Sequence, residues 1–99
     1  MNKVKIKNDK YELKYDYYVT DTGQIYSDKT NKFLSQHLDK DGYCKVRLVC
    51  KDSRHTFSVH RLVLENFNPI INMSKMQVNH IDGDKTNNNL LNLEWNSSS

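Results

Sequence analysis

The segment from Gln77 to Trp95 holds the side chains with the greatest capacity for chemistry in this 99-residue sequence. Its centre is the pair Asn79 and His80, an amide oxygen beside an imidazole that titrates near neutral pH. An imidazole can take a proton from water, and amide or carboxylate oxygens bind hard divalent cations such as Mg²⁺ or Mn²⁺. Hydrolysis of a phosphodiester needs both, because a base activates the water and a cation neutralises charge on the departing oxygen. The residues therefore permit a hydrolytic site around His80.

A hairpin with a long loop is predicted to position these groups. Apolar residues alternate with polar ones near Gln77 to Ile81 and again near Leu91 to Trp95, a pattern that is typical of half-buried strands. The residues between them are rich in Asp, Asn and Gly, which bond to their own backbone and form ordered loops. His80 should therefore lie near the mouth of the hairpin.

The preceding residues read as a scaffold of short strands and one helix. A hairpin is predicted from Tyr17 to Ser27, and the turn that ends at Gly42 leads into a strand over Tyr43 to Cys50. An apolar stripe then predicts a helix from Val59 to about Phe67, stopped by the nearby proline. The predicted fold class is α+β: a small antiparallel sheet with one packed helix, followed by the long-looped hairpin.

Four segments follow from this pattern. Residues 1–16 are a basic N-terminal arm or an edge strand, and residues 17–68 form the sheet and helix. Residues 69–76 form a linker, and residues 77–99 form the hairpin. The charge differs between the hairpin and the rest of the chain. Residues 1–76 carry 14 Lys and Arg against 9 Asp and Glu, a net charge of +5. Residues 77–99 carry 1 Lys and no Arg against 3 Asp and Glu, a net charge of −2. A basic scaffold beside a small acidic tip suits a polyanion and a divalent metal, although ordinary surface charge would also explain it.

The strand over Tyr43 to Cys50 has a distinctive outward face. Its even positions, which include both cysteines, form a core face, and the two thiols are too far apart in the strand to form a disulfide with each other. The predicted contacts to DNA are the aromatic and basic residues on and after the other face: Tyr43, Lys45, Arg47, Lys51 and Arg54. The alternative is an ordinary solvent-exposed sheet face.

The remaining polar candidates have simpler interpretations. His60 lies at the edge of the apolar stripe of the helix and reads as a packing residue, while His37 and His55 read as surface residues. The alternate spacing of Asp82, Asp84 and Thr86 suggests a calcium-binding loop, but the pattern lacks the later glycine and glutamate of such loops. No segment is long and apolar enough for a membrane span or a secretion signal, so a cytoplasmic protein is expected.

Several motifs carry a resemblance to a known family. Asn79-His80-Ile81-Asp82-Gly83, the pair Asn87-Asn88 and Asn92-Leu93-Glu94-Trp95 resemble the HNH endonucleases, in particular the homing-type enzymes of phages and introns. Upstream, YYVTDTGQIYS, GYCKVRL and TFSVHRLVLENF resemble the modular DNA-binding region that precedes such motifs. The resemblance covers about four fifths of the chain. It implies a ββα-metal nuclease motif, encoded by a phage or mobile element and acting in the host cytoplasm.

The resemblance also implies roles for single residues. His80 would be the general base, Asn79 a metal ligand and Asn92 the residue that braces the hairpin loop, with Mg²⁺ or Mn²⁺ as cofactor and double-stranded DNA as partner. No small-molecule substrate is implied, and the oligomeric state is not predicted. The final helix of the motif would begin just after the second strand, where this sequence reaches Ser99. The expectation is therefore a metal-dependent DNA endonuclease with an incomplete ββα-metal motif, or alternatively a catalytically incomplete DNA-binding module derived from one.

Overall fold

The computed structural model describes residues 2–97, and within that range it contains nine β-strands and one α-helix. It also contains two short 3-10 helices: Met73–Lys75 directly precedes the eighth strand, and Leu90–Asn92 directly precedes the ninth. In chain order the strands and the helix are β1 Lys3–Lys5, β2 Tyr17–Thr20, β3 Ile25–Ser27, β4 Lys32–Phe33, β5 His37–Leu38, β6 Cys44–Val49, β7 Arg54–Ser58, α1 Val59–Phe67, β8 Met76–His80 and β9 Leu93–Ser97.

The strands form three antiparallel sheets. The first has the order β1-β2-β3-β4, the second β5-β6-β7, and β8 pairs with β9 in a hairpin of its own. The predicted α+β class is confirmed, with two small sheets where one was expected. The first sheet includes the predicted hairpin, in which Tyr17 pairs with Ser27 and the turn passes through Gly23 at a φ of +88°. That left-handed conformation favours glycine.

The N-terminal segment adopts the edge strand that was one of its two predicted forms. In β1, Val4 pairs with Val19 of β2, and Ile6 just beyond the strand is only 3% exposed. Tyr11 and Leu13 also pack against the core. Burying these apolar side chains ties the segment to the scaffold.

Helix α1 covers the predicted residues and connects the scaffold to the hairpin. It buries Val59, Leu62, Val63 and Leu64 in a core that also contains residues of both sheets and Leu93 of the hairpin. Its Arg61 donates hydrogen bonds to the backbone oxygens of Met73 and Met76 at 2.8 and 2.7 Å. At nine residues α1 falls well short of a membrane span, and residues 2–97 contain no longer helix.

The hairpin that carries His80 differs from the prediction in its strand limits. Strand β8 ends at His80, and β9 begins at Leu93 rather than Leu91. The Asn89 side chain accepts a hydrogen bond from the backbone N–H of Leu91 and thereby caps a 3-10 helix over the expected start of the strand. In the resulting register His80 lies opposite Leu93, and Asn79 lies opposite Glu94.

Candidate functional site

His80 is a buried imidazole at the end of β8. The residue is 7% exposed, and its Nε2 lies 2.8 Å from Oδ1 of Asn88, which comes from the hairpin loop and is itself buried. An amide oxygen can only accept, so Nε2 carries the hydrogen of this bond. The position of His80 near the hairpin mouth was predicted from the sequence, whereas its partner Asn88 was not.

Two further rings pack against His80. The ring centroid of His60 lies 5.2 Å away and that of Tyr43 6.0 Å away, and these two rings stack on each other at 5.2 Å. Burial lowers the pKa of His60 from 6.5 to about 4, and the charge of His80 acts in the same direction. His60 is therefore neutral at physiological pH. It packs as predicted, but it does so against the candidate base.

Asn92 braces the hairpin loop through both of its side-chain groups. Its Nδ2 donates to Oδ1 of Asp82 and to the backbone oxygen of Asn87, both at 2.9 Å, and its Oδ1 accepts from the N–H of Asp82 at 3.1 Å. The hydrogen bond from the Asn87 side chain is the largest cause that lowers the pKa of Asp82, and Asn92 adds to it. This geometry is compatible with the bracing role that the resemblance implies for Asn92.

The two carboxylates of the hairpin loop accept hydrogen bonds from other groups of the same loop. Oδ1 of Asp84 accepts from both the N–H and the hydroxyl of Thr86, at 2.9 and 2.7 Å. Asp82 accepts from Asn87, Asn92 and the N–H of Asp84. These oxygens shape turns and do not converge on one point, so the calcium-loop alternative gains no support.

Asn79 lies at the exposed mouth of the hairpin beside an acidic partner. Its Nδ2 donates to Oε1 of Glu94 at 2.8 Å, and its Oδ1 forms no hydrogen bond within residues 2–97. In that range no group of three or more His, Cys, Asp or Glu side chains could hold a metal ion. Glu94 was not predicted as a site residue, although its position opposite Asn79 follows from the hairpin register.

The outward face of β6 runs away from this cluster. Tyr43 stands beside His80, and Lys45 and Arg47 follow on the same face. Lys45 is not the free cation that was expected, because its Nζ donates to Oγ of Ser58 at 2.6 Å and lies 3.6 Å from a carboxylate oxygen of Asp39. Arg47 is exposed.

The other predicted DNA contacts lie beyond the end of β6. Arg54 opens β7 opposite Val49, and it lines an open cleft together with Arg47 and Lys29. The exposed Lys51 pairs with Glu12 at 2.9 Å.

His55 was predicted to be a surface residue; it is half-buried and has two partners that were not predicted. Its ring stacks on Tyr11 at 3.6 Å, and its Nε2 lies 3.1 Å from a carboxylate oxygen of Asp52. The N-terminal segment, which supplies Tyr11, comes from a distant part of the sequence, so local sequence offered no sign of this contact. His37 is exposed, as predicted.

Known proteins share both the sequence motifs and the fold. The HNH endonuclease family model matches residues 57–99, and the NUMOD4 motif model matches residues 4–49. A solved structure described as "DNA binding and cleavage by the HNH homing endonuclease I-HmuI" has a TM-score of 0.82 and 36% sequence identity, and the match covers 98% of this chain and 53% of that chain. Residues 57–99 belong to the HNH endonuclease family. The resemblance inferred from the sequence is thereby confirmed.

Related HNH endonucleases come from phages and a large virus. DNA endonuclease I-HmuI of Bacillus phage SP01 is 40% identical over 79 residues, which are 80% of this chain and 45% of that protein. The H-N-H endonuclease F-TflII of Escherichia phage T5 is 33% identical over 92 residues, or 91% of this chain and 48% of that protein. The uncharacterized HNH endonuclease L245 of Acanthamoeba polyphaga mimivirus is 39% identical over 84 residues, which are 81% of this chain and 24% of that protein. The chain thus spans about half the length, or less, of these relatives.

The HNH match includes more of the chain than the hairpin. It begins at Phe57, so α1 and His60 fall inside it, whereas the helix was predicted to belong to the scaffold. Tyr43, Lys45 and Arg47 fall inside the NUMOD4 match. The ring cluster around His80 is therefore built from both matched segments.

Proposed function

We propose that this chain is part of a metal-dependent endonuclease that hydrolyses phosphodiester bonds of double-stranded DNA, with His80 as the general base. The observation that carries the proposal is the placement of His80. The His80 imidazole is held in a buried position by Asn88, and the preceding residue, Asn79, is exposed and hydrogen-bonded to Glu94. A module that only bound DNA would have no need of such a held base.

His80 acts on the attacking water in this scheme. In its neutral form the imidazole takes a proton from a water molecule as that water forms a bond to phosphorus. The bond from phosphorus to the leaving sugar oxygen breaks, the leaving oxygen gains a proton from solvent, and a phosphate monoester and an alcohol result. The surrounding rings hold the imidazole in one orientation, which is worth a large factor in rate for a reaction between positioned groups.

Asn79 and Glu94 are the groups proposed to hold the divalent metal. Both offer oxygen donors, the ligands that Mg²⁺ and Mn²⁺ prefer, and both are exposed and opposite each other in the hairpin. The carboxylate of Glu94 supplies a negative charge that the Asn79 amide lacks. When bound, such a metal neutralises charge on the phosphate and the leaving oxygen.

The face of β6 offers a path for DNA to the base. Tyr43, Lys45 and Arg47 lie in a row on one face, and at about 3.3 Å per residue the row extends roughly 13 Å from the His80 cluster to the cleft that Arg54 shares. A phosphate backbone that follows this row reaches the mouth of the hairpin. The relative I-HmuI is named a DNA endonuclease, and its solved structure is described as DNA binding and cleavage.

Metal-dependent conversion of supercoiled plasmid to nicked or linear DNA by the full-length protein tests this proposal. Cleavage should require Mg²⁺ or Mn²⁺ and stop with EDTA. Asn79→Ala should raise the metal concentration for half-maximal cleavage by roughly tenfold or more, because one oxygen ligand is lost while the base remains, and excess metal should restore most of the rate. Asn96→Ala, which changes an exposed Asn of the same hairpin, is the matched control and should leave the metal requirement unchanged.

Two results would count against this scheme. Cleavage that persists in EDTA would exclude the metal. DNA binding without cleavage at any metal concentration would instead favour the DNA-binding module.

A further inference from the structure

We propose that Asn88 is the positioning residue that fixes the tautomer and orientation of His80, so that Nδ1 is the nitrogen that takes the proton, and that Gly23 of the first sheet holds Asn88 in place. The catalytic consequence rests on the proposed function. The hydrogen-bond geometry does not depend on it.

Asn88 is a buried polar residue whose amide oxygen is engaged by His80. The residue is 4% exposed, and its Oδ1 lies 2.8 Å from Nε2 of His80. The thiol of Cys44 lies nearby: burial raises the pKa of this thiol, and hydrogen bonding by Asn88 opposes that rise. An amide can lower the pKa of a thiol only by donating its N–H. That direction agrees with the geometry of the bond in which the Asn88 oxygen faces His80.

The hydrogen bond from His80 Nε2 to Asn88 leaves Nδ1 as the nitrogen that can accept a proton. Because Asn88 accepts at Nε2, a neutral imidazole has its lone pair at Nδ1. Within residues 2–97, Nδ1 forms no hydrogen bond, and it is not among the buried atoms that lack a partner, in contrast to Nδ1 of His60. Nδ1 is therefore the nitrogen that water can reach.

Gly23, in the turn between β2 and β3, packs closely against Asn88. A Cβ at Gly23 would lie 2.7 Å from Cβ of Asn88 and 3.0 Å from its backbone oxygen, so no side chain fits there. The same turn accepts a hydrogen bond at the backbone oxygen of Asp21 from the N–H of Leu90, at 2.8 Å. The first sheet, which lies in the NUMOD4 match, thus contributes directly to the geometry of the HNH centre.

Nuclear magnetic resonance of the ¹⁵N-labelled protein at mildly alkaline pH tests the assignment without any cleavage assay. The His80 ring signals are identified by their loss in His80→Gln. The wild-type protein should show a protected Nε2–H proton on His80. Asn88→Ala should lose that protection, while Asn88→Asp, which keeps an acceptor oxygen, should retain it.

Gly23→Ala tests the contribution of the first sheet. It should lose the protected proton because the added methyl group displaces Asn88. Gly42→Ala is the matched control, because Gly42 has the same φ of +88° but its Cβ would meet only Lys85, at 3.7 Å. Circular dichroism checks that each variant folds. If Gly23→Ala unfolds, the comparison of Asn88→Ala with Asn88→Asp decides the question.

Single-turnover cleavage separates this inference from the proposed function. Asn88→Ala should slow cleavage roughly tenfold to a hundredfold at unchanged DNA affinity, and Asn88→Asp should recover much of the loss. A His80 ring protonated at Nδ1, or a protected Nε2–H that survives Asn88→Ala, would overturn the assignment even if the protein cuts DNA. The expected spectra in a protein that never cuts DNA would instead refute the proposed function alone.

Discussion

His60 is the residue whose surroundings most strongly oppose its charged form. Burial is the main reason that its pKa falls to about 4, and the positive charges of His80, Lys45 and Arg61 add to the effect, while Asp39 opposes it. A neutral ring at this position does not repel the positive charge that His80 acquires when it takes up a proton. The packing role predicted from the sequence is thus also an electrostatic one.

Because the pKa of His60 is low, the free energy of unfolding should depend on pH. In the unfolded chain this imidazole has its ordinary pKa near 6.5, so the unfolded state binds the proton more tightly than the folded state. The contribution of neutral His60 is therefore complete above pH 6.5 and is lost as the pH falls toward 4. Between pH 7 and 4.5 the free energy of unfolding should drop by on the order of 2 kcal/mol, after allowance for the partial exposure of the ring.

Urea unfolding of wild type, His60→Gln and His37→Gln at the two pH values measures this drop. His60→Gln should show a much smaller drop, whereas His37→Gln, which changes an exposed ring, should behave like wild type. Asp39, Asp52, Asp82 and Asp84 have lowered pKa values and titrate mainly below this range. An equal drop in wild type and His60→Gln would show that other groups are responsible.

At the scale of elements, β6 and β7 present two arginines on the proposed path of the DNA. Arg47 and Arg54 form no ion pair within residues 2–97, whereas Lys45 is held by Asp39 and Ser58. Arg47 lies opposite Thr56, so Arg54 is its diagonal neighbour across the two strands. The two guanidinium groups are therefore free to contact adjacent phosphates.

Replacing both arginines should weaken duplex binding and flatten its dependence on salt. The slope of log K against log salt concentration should fall by about 1.8 in Arg47→Ala/Arg54→Ala, because each lost phosphate contact removes about 0.9. Lys45→Ala should change the slope less, since its charge is already compensated. Arg47→Lys/Arg54→Lys keeps both charges and serves as the control in a fluorescence anisotropy titration. An unaltered slope in the double alanine variant would place the DNA elsewhere.

Local sequence signals explain which elements were predictable. Helix α1 was predicted at its observed limits, because its apolar stripe and Pro69 both lie in or beside the helix. The start of β9 was missed, because the cap formed by Asn89 competes with an alternating pattern that fits a strand equally well. The ion pair of Lys45 with Asp39 depends on the path of the β5–β6 connection, which a single strand pattern does not reveal.

At the scale of the whole molecule, the two matched segments share one core and one candidate site. Ile25 of the first sheet and Leu93 of the hairpin belong to the same buried cluster. His80 could be singled out from the sequence because its motif is contiguous with Asn79. Its neighbours Asn88 and His60 could not, and neither could Gly23, which contacts Asn88, because tertiary packing of the loop, α1 and the first sheet brings these residues together.

Single-turnover cleavage of duplex DNA by the full-length protein and its His80→Ala variant, with Mn²⁺, tests the central claim most directly. DNA affinity is measured in parallel by fluorescence anisotropy. Removal of the base should slow cleavage about a hundredfold or more while binding stays near the wild-type level, and His37→Ala should cut at the wild-type rate. Cleavage by His80→Ala at the wild-type rate would contradict the assignment of His80 as the general base.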